Sequence, residues 1–279
     1  MTGSRIFLLL LAPLAIAAEP NALDIVRRSL AAEAENTKLS TNYTFLQRTE
    51  ERELGSNGEI KSRHSKTHDV TMLNGSSSLR WLIERDDKPL PPEELEREQQ
   101  QLRLGLEQRR HETEAQRAQR AAEADKRPGR SREMLKEIPE AFDFRLRGEQ
   151  TIGSRPAYVI DATPRPGYHS KNAQARMFLP NMKATFWIDK GDLNWVRMEA
   201  EVIDNISYGW FLFRLAKGAR LKVERIRVNN EVWLPSRIEV AGSARLALVK
   251  KYNMEQELTY RNYRKFQSDS ELIPAGGVE

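Results

Sequence analysis

Apolar and polar positions along the chain change period several times, and each change marks an element. Leu23, Val26, Leu30 and Ala34 recur at helical spacing, with Asn21 as N-cap and Asp24 in the first turn, so a helix is expected from Asn21 to Ser40. From Asn42 the period falls to two. Tyr43, Phe45 and Leu54 flank the charged run Gln47–Glu53, and Gly55-Ser-Asn-Gly58 supplies a hairpin turn. A return strand from Ile60 to Leu73, the turn Asn74-Gly75 and a strand over Leu79–Glu84 complete an antiparallel meander. Lys88-Pro-Leu-Pro-Pro92 then breaks the sheet.

Glu93 to Lys126 is rich in Glu, Gln, Arg and Ala, which predicts one long helix. Its apolar residues are sparse: Leu95, Leu102, Leu104 and Leu106, then only alanines such as Ala115, Ala118 and Ala122. Such a stripe can rest on a sheet edge but cannot enter a core. Oppositely charged neighbours four residues apart would support the helix in water. Arg127-Pro-Gly-Arg130 is expected to end it, with a short helical turn over Arg132–Glu137. The reading is a solvated lid or projection, with disorder as the alternative.

Sheet periodicity resumes at Phe142, with Phe144 and Leu146 on the same face, and Gly153-Ser154 turns into Ala157–Thr163. Pro164-Arg-Pro-Gly167 opens an irregular loop through Pro180. The clearest hairpin follows: Ala184–Asp189, the turn Lys190–Asn194, then Val196, Met198, Ala200 and Val202 alternating with charged residues. That alternation requires one packed and one wet face. Tyr208–Leu215 is apolar on both faces. In the next strand Leu221 and Val223 are in phase while Ile226 and Val228 have slipped by one, which predicts a β-bulge near Glu224-Arg225. Asn229-Asn230 turns into Val232–Val240, a further strand carries Ala244, Leu246 and Leu248, and a last strand runs from about Met254 to Phe266.

Composition alters this picture in three places. The first is the N-terminus, where Arg5, an apolar run from Ile6 to Ala17 and the small residues Ala15 and Ala17 read as a cleavable secretory signal. The run is shorter than the roughly 20 residues a spanning helix needs. An uncleaved anchor is the alternative. Second, the chain has no Cys, so disulfides, thiolate metal sites and thiol nucleophiles are excluded. Third, charge is uneven: between Asn205 and Lys265, thirteen Lys and Arg face five Asp and Glu. A basic half of this kind can meet an anionic membrane surface, through Lys217, Arg220, Lys222, Lys250 and Lys251, or serve only solubility. Export favours envelope lipids and polymers as partners over nucleic acid.

About ten antiparallel strands with one N-terminal and one inserted helix predict a mainly β (α+β) protein. The expected form is a single large curved antiparallel sheet, a half-open β-barrel with helices against its concave face. The signal peptide, short helix, meander, helical insertion, then Ala184-Thr-Phe-Trp-Ile-Asp189 and Arg197-Met-Glu199 together resemble the periplasmic lipoprotein-carrier (LolA-like) superfamily. The closing Tyr260-Arg-Asn-Tyr-Arg-Lys-Phe266 is similar to the last strand of those proteins. The resemblance implies an apolar cavity that holds lipid or lipoprotein acyl chains. Relatives of this fold also act as envelope-stress regulators, so an envelope protein is the alternative partner. Expected boundaries are a signal at 1–17, a sheet domain at 21–267 containing an insertion at 93–137, and a tail at 268–279.

No nucleophile elbow, P-loop, zincin helix or dinucleotide fingerprint occurs, so no catalytic residue, cofactor or metal is expected. His64 and His68 share one side of a strand but flank Lys66, which discourages a metal. Trp187 and Asp189 read as packing and turn residues. Trp187 also belongs with Met198, Trp210, Phe211, Phe213 and Met254 to the candidate lining of a lipid cavity, because Met and aromatic walls adapt to flexible chains. An ordinary core is the competing account of those six. The functional reading is a periplasmic, non-enzymatic carrier of acyl chains. The alternative is an envelope interaction or sensing module acting through the helical insertion.

Overall fold

The computed structural model describes residues 20–73, 77–208, 213–246 and 250–265. The expected signal at 1–17, the turn at Asn74-Gly75, Trp210, Phe211, Leu248 and the tail at 268–279 lie outside the described residues.

Helix α1 (Ala22–Ser40) starts where Asn21 Oδ1 accepts the Leu23 N–H at 2.9 Å. Strands β1 (Tyr43–Leu54), β2 (Ile60–Leu73), β3 (Ser77–Arg85) and the two-residue β4 (Lys88–Pro89) form the expected meander. The short β4 is an addition to it. Asp86 and Asp87 both adopt positive φ, the mirror-image turn that matches strand twist, so the chain doubles back before the prolines stop it.

The insertion is two helices, not one. In α2 (Pro92–Arg110), Pro92 stands at the first helical position, where its missing N–H is no loss. In α3 (Glu114–Lys136), Thr113 and Gln116 close a capping box that starts a new helix. The cap at Thr113 therefore divides the segment, and α3 continues through the Arg127–Arg130 stretch expected to end it. The four-residue α4 (Ile138–Ala141) leads into β5 (Phe142–Ile152) and β6 (Arg155–Pro164).

The expected loop after Pro164 contains α5 (Ala173–Phe178), capped by Asn172, and a 3-10 turn over Leu179–Asn181. Then come β7 (Met182–Asp189), β8 (Trp195–Val202), the small hairpin β9 (Ile206–Tyr208) and β10 (Phe213–Leu215), and β11 (Arg220–Val228). Of the stretch Tyr208–Leu215, Tyr208 and Phe213–Leu215 belong to this antiparallel pair, and 209–212 lie outside the described residues. The register slips between Glu224 and Arg225, where the phase change predicted a bulge. One uninterrupted strand, β12 (Val232–Leu246), replaces the two expected there, and β13 (Lys250–Lys265) closes the chain. Gly242 does not break β12. A Cβ at that position would stand 2.7 Å from Ala219 Cβ, so the glycine permits close approach of Ala219, the residue before β11.

All pairings are antiparallel, in the order β4-β3-β2-β1-β13-β12-β11-β8-β7-β6-β5, with β10 joining the far end of β12. The edges β4 and β5 do not pair, so the sheet stays open. The largest core lies between α1 and one sheet face: Ile25 and Val26 meet Phe142, Ile160, Phe186, Ile188 and Trp195. Polar groups inside it are matched. Trp195 Nε1 donates to Ser29 Oγ at 3.0 Å, and its backbone N–H donates to Glu33 at 2.8 Å.

Candidate functional site

Because side chains alternate across a strand, cross-strand partners define rows on each face. On the α1 face one row crosses every strand of the eleven-strand path. It begins Leu146, Ile160, Phe186, Met198, continues Val223, Ile238, Leu258, and ends Thr49, Lys66, Arg85 and Lys88. Seven consecutive strands contribute apolar side chains, one a hydroxyl and three a cation. Ile160 and Phe186 are buried beneath α1, and Met198 packs at the border of that core. Val223, Ile238 and Leu258 lie beyond the helix and are half-buried.

The next row repeats the pattern with Ala200, Leu221 and Val240, the last 36% exposed, before turning polar at Gln256. Met254, opposite Gly242, adds a further exposed apolar side chain on this face. From Met198 to Leu258 the row spans three strand spacings, about 14 Å. One leaflet of a bilayer's hydrocarbon core is about 15 Å thick. The strip is thus the length of a lipid chain, and it runs along neighbouring strands with no polar interruption.

At its polar end the strip opens into a 600 Å³ cavity over β1, β2, β3 and β13, whose lining includes Leu258, Thr49, Lys66, Gln47, His68 and Arg80. Phe45 stacks within 5.5 Å of both Tyr260 and Tyr263 beside it, and Gln47 Nε2 donates to Tyr260 Oη at 3.0 Å. Arg80 Nη2 donates to Gln47 Oε1 at 3.1 Å and lies 3.4 Å from His68 Nδ1. Burial, then the Arg80 charge, disfavours the imidazolium and pushes the His68 pKa down; Glu98 opposes this and Lys66 adds to it. Tyr260 is pushed up, chiefly by burial.

The opposite face carries many ion pairs. Lys183 pairs with Glu201 at 3.1 Å, Lys222 with Glu224 at 2.7 Å, and Arg237 with Glu239 at 2.7 Å and Glu257 at 3.1 Å. A 690 Å³ trough there is lined by Asp161, Lys183, Glu199, Glu201, Arg220 and Lys222, among others. Further along, the buried Glu50 carboxylate accepts from Arg48, Arg52 and Arg63. Arg220 and Lys222 do share this face, but Glu224 compensates Lys222, which weakens the case for a basic membrane patch.

Of the six candidate lining residues, Trp210 and Phe211 lie outside the described residues, and the others do not all share one face. Met198 and Met254 are on the α1 face. Trp187 is on the other: it packs on Ala157 and Val159, donates Nε1 to Gln150 at 2.8 Å, and carries the Arg197 guanidinium 4.6 Å above its ring. One surface cannot hold both Trp187 and Met198, because Met198 is paired with Phe186, the residue before Trp187. Phe213 belongs to β10. Val223, Ile238, Leu221, Val240 and Leu258 were not singled out in the sequence. Alternation shows that each has a face, but only register aligns them. Asp189 is fully buried in its turn, where Arg155 donates at 2.6 and 2.7 Å and the Gly191 and Asp192 N–H groups at 2.8 and 3.0 Å, so it is a structural residue.

No family profile matches the chain, and no curated protein matches it. Solved structures do. The chain resembles lipoprotein-sorting domains. A putative outer membrane lipoprotein-sorting protein domain from Vibrio parahaemolyticus is 11% identical over 88% of this chain and 95% of its own, with a TM-score of 0.34. A LolA superfamily protein from Nitrosomonas europaea is 9% identical over 88% and 93%, at 0.32. The MucA/MucB complex of Pseudomonas aeruginosa matches at 12% identity over 88% and 99%, at 0.22.

Proposed function

We propose that the protein is an exported carrier that holds acyl chains of a lipid or lipoprotein against the row from Met198 to Leu258, and that it acts in the periplasm without catalysing a reaction. The observation that carries this reading is the unbroken apolar run across β8, β11, β12 and β13, left half-exposed beyond α1. Covering it with hydrocarbon stabilises the complex by about 0.8 kcal/mol per methylene removed from water. The apolar run Ile6–Ala17 supports export. The test is mass spectrometry of lipid extracted from the purified protein, with titration of a fluorescent fatty acid. Co-purified lipid and saturable uptake are expected. A lipid-free protein that takes up no fatty acid overturns the reading.

A second reading is favoured by one observation: α2 buries none of its 19 residues. It touches the sheet through Glu98, which accepts the Leu82 N–H at 3.2 Å, and Glu94, 3.0 Å from Arg85. A helical pair so exposed suits contact with an envelope protein. Replacing residues 96–130 by a short Gly-Ser linker separates the two roles. Unchanged fatty-acid uptake assigns the pair to something other than gating the strip, whereas altered uptake makes it part of the lipid site.

A further inference from the structure

We infer that the cavity at the end of the apolar row binds the anionic phosphate headgroup of the lipid whose chains lie along that row. This rests on the acyl-chain reading and extends it to the class of lipid.

Lys66 and Arg80 line the cavity, and among the described residues neither cation forms an ion pair with a carboxylate within 4 Å. The contrast with the opposite face is direct, since Lys183, Lys222 and Arg237 each have a carboxylate there. Two carboxylates do line the cavity, at its far end. Glu51, opposite His64, accepts from Gln256 at 3.0 Å. Asp86 accepts the Ser65 N–H at 2.9 Å and lies 3.7 Å from His64. The cationic end, at the rows of Thr49 and Gln47, is the one nearest Leu258.

The position suits a headgroup. Lys66 stands two strand spacings beyond Leu258 in the same row, about 10 Å, with only the Thr49 hydroxyl between them. Arg80 spends N–H groups on Gln47 and His68 and keeps others of its five free, while Lys66 offers three. An Arg80 N–H aimed at His68 Nδ1 makes that nitrogen the acceptor and leaves Nε2–H as a donor. Phosphate oxygens accept all of these. A zwitterionic headgroup would bring a cation into the same space.

The test compares uptake of fluorescent-acyl phosphatidylglycerol and phosphatidylcholine with identical chains, in the wild type and in the Lys66→Gln/Arg80→Gln variant. A third arm adds inorganic phosphate as competitor. The wild type is expected to bind phosphatidylglycerol roughly tenfold more tightly at low salt, with the preference shrinking as salt screens it. The variant should bind both lipids at the phosphatidylcholine level, which also shows that it is folded. Equal affinities in the wild type, or a preference that survives the double substitution, overturn the headgroup inference and leave the acyl-chain reading standing. Uptake of neither lipid overturns both. Phosphate bound without either lipid identifies a free-anion site and overturns the lipid assignment.

Discussion

Asn36 pairs with Trp233 as a neighbouring strand would: Nδ2 donates to the Trp233 carbonyl at 2.8 Å while Oδ1 accepts its N–H at 2.7 Å. The contact falls where the pairing of β12 with β13 has already stopped, at Arg237↔Thr259. A buried side-chain amide on α1 thus takes the place of missing ladder bonds and fixes the helix against the sheet. Three residues earlier Glu33 holds Arg225, at 2.6 and 2.7 Å, beside the β11 bulge. Asn36→Ala leaves one buried donor and one acceptor unmet and should lower unfolding free energy by about 2–4 kcal/mol in urea titrations. Asn36→Asp, which sets a buried carboxylate oxygen against the Trp233 carbonyl, should cost at least as much.

Glu50 makes stability depend on acid. Its carboxyl is held down to about 2 by Arg63 first, against the opposing effect of burial, with Arg48 and Arg52 adding to the shift. The folded pKa is below the ordinary 4.5, so the contribution is complete above pH 4.5 and is lost as pH falls toward 2. Over that window each group of this kind adds a slope approaching 1.4 kcal/mol per pH unit. Glu50→Gln should be less stable at pH 7 and show a shallower loss between pH 4.5 and 2, measured as unfolding free energy against pH.

The two faces predict opposite outcomes for two substitutions. Ile238→Asn places an amide in the apolar row and should weaken fatty-acid affinity by roughly tenfold or more, because burying it unpaired costs about 1–3 kcal/mol. Its circular dichroism should be unchanged, since Ile238 is half-buried. Trp187→Ala removes a packed indole from the other face and should destabilise by about 3 kcal/mol with uptake unaltered. Loss of uptake in the tryptophan variant at full folding would place the ligand on the charged face.

Asp189 closes the β7–β8 turn. Asp189→Ala leaves Arg155 with the longer 3.5 Å contact to Asp192 and two backbone N–H groups without their acceptor, and should cost about 3 kcal/mol in denaturant titration without moving lipid affinity.

How far the sequence foretold this molecule depended on whether a feature is local. The Gly55–Gly58 turn, the β7–β8 hairpin and the bulge at Glu224-Arg225 are written in a few neighbouring residues, and each is where alternation places it. The six residues of α5 are too few for a helical period to show, and the strand expected to stop at Val240 runs on past Gly242, a point of close approach. The candidate site was the least legible part. Val223, Ile238 and Leu258 come from three strands whose alignment is set by a bulge and by long-range pairing, so their row has no counterpart in the linear chain. Trp187 stood out by residue type and lies on the face opposite Met198.

The pairing of β1 with β13 has a consequence for how the molecule comes into being. Gln47 and Tyr260, bonded across it, are 213 residues apart in the chain. The leading meander β4-β3-β2-β1 and the trailing one from β5 to β13 share no other strand boundary, so the seam between them forms only once β13 is in place. Contacts of such long range make folding slow. Until then β1 is a bare edge of twelve residues, open to any strand it meets. The cationic end of the row and its apolar end belong to different meanders, so a binding surface of both characters exists only in the finished chain.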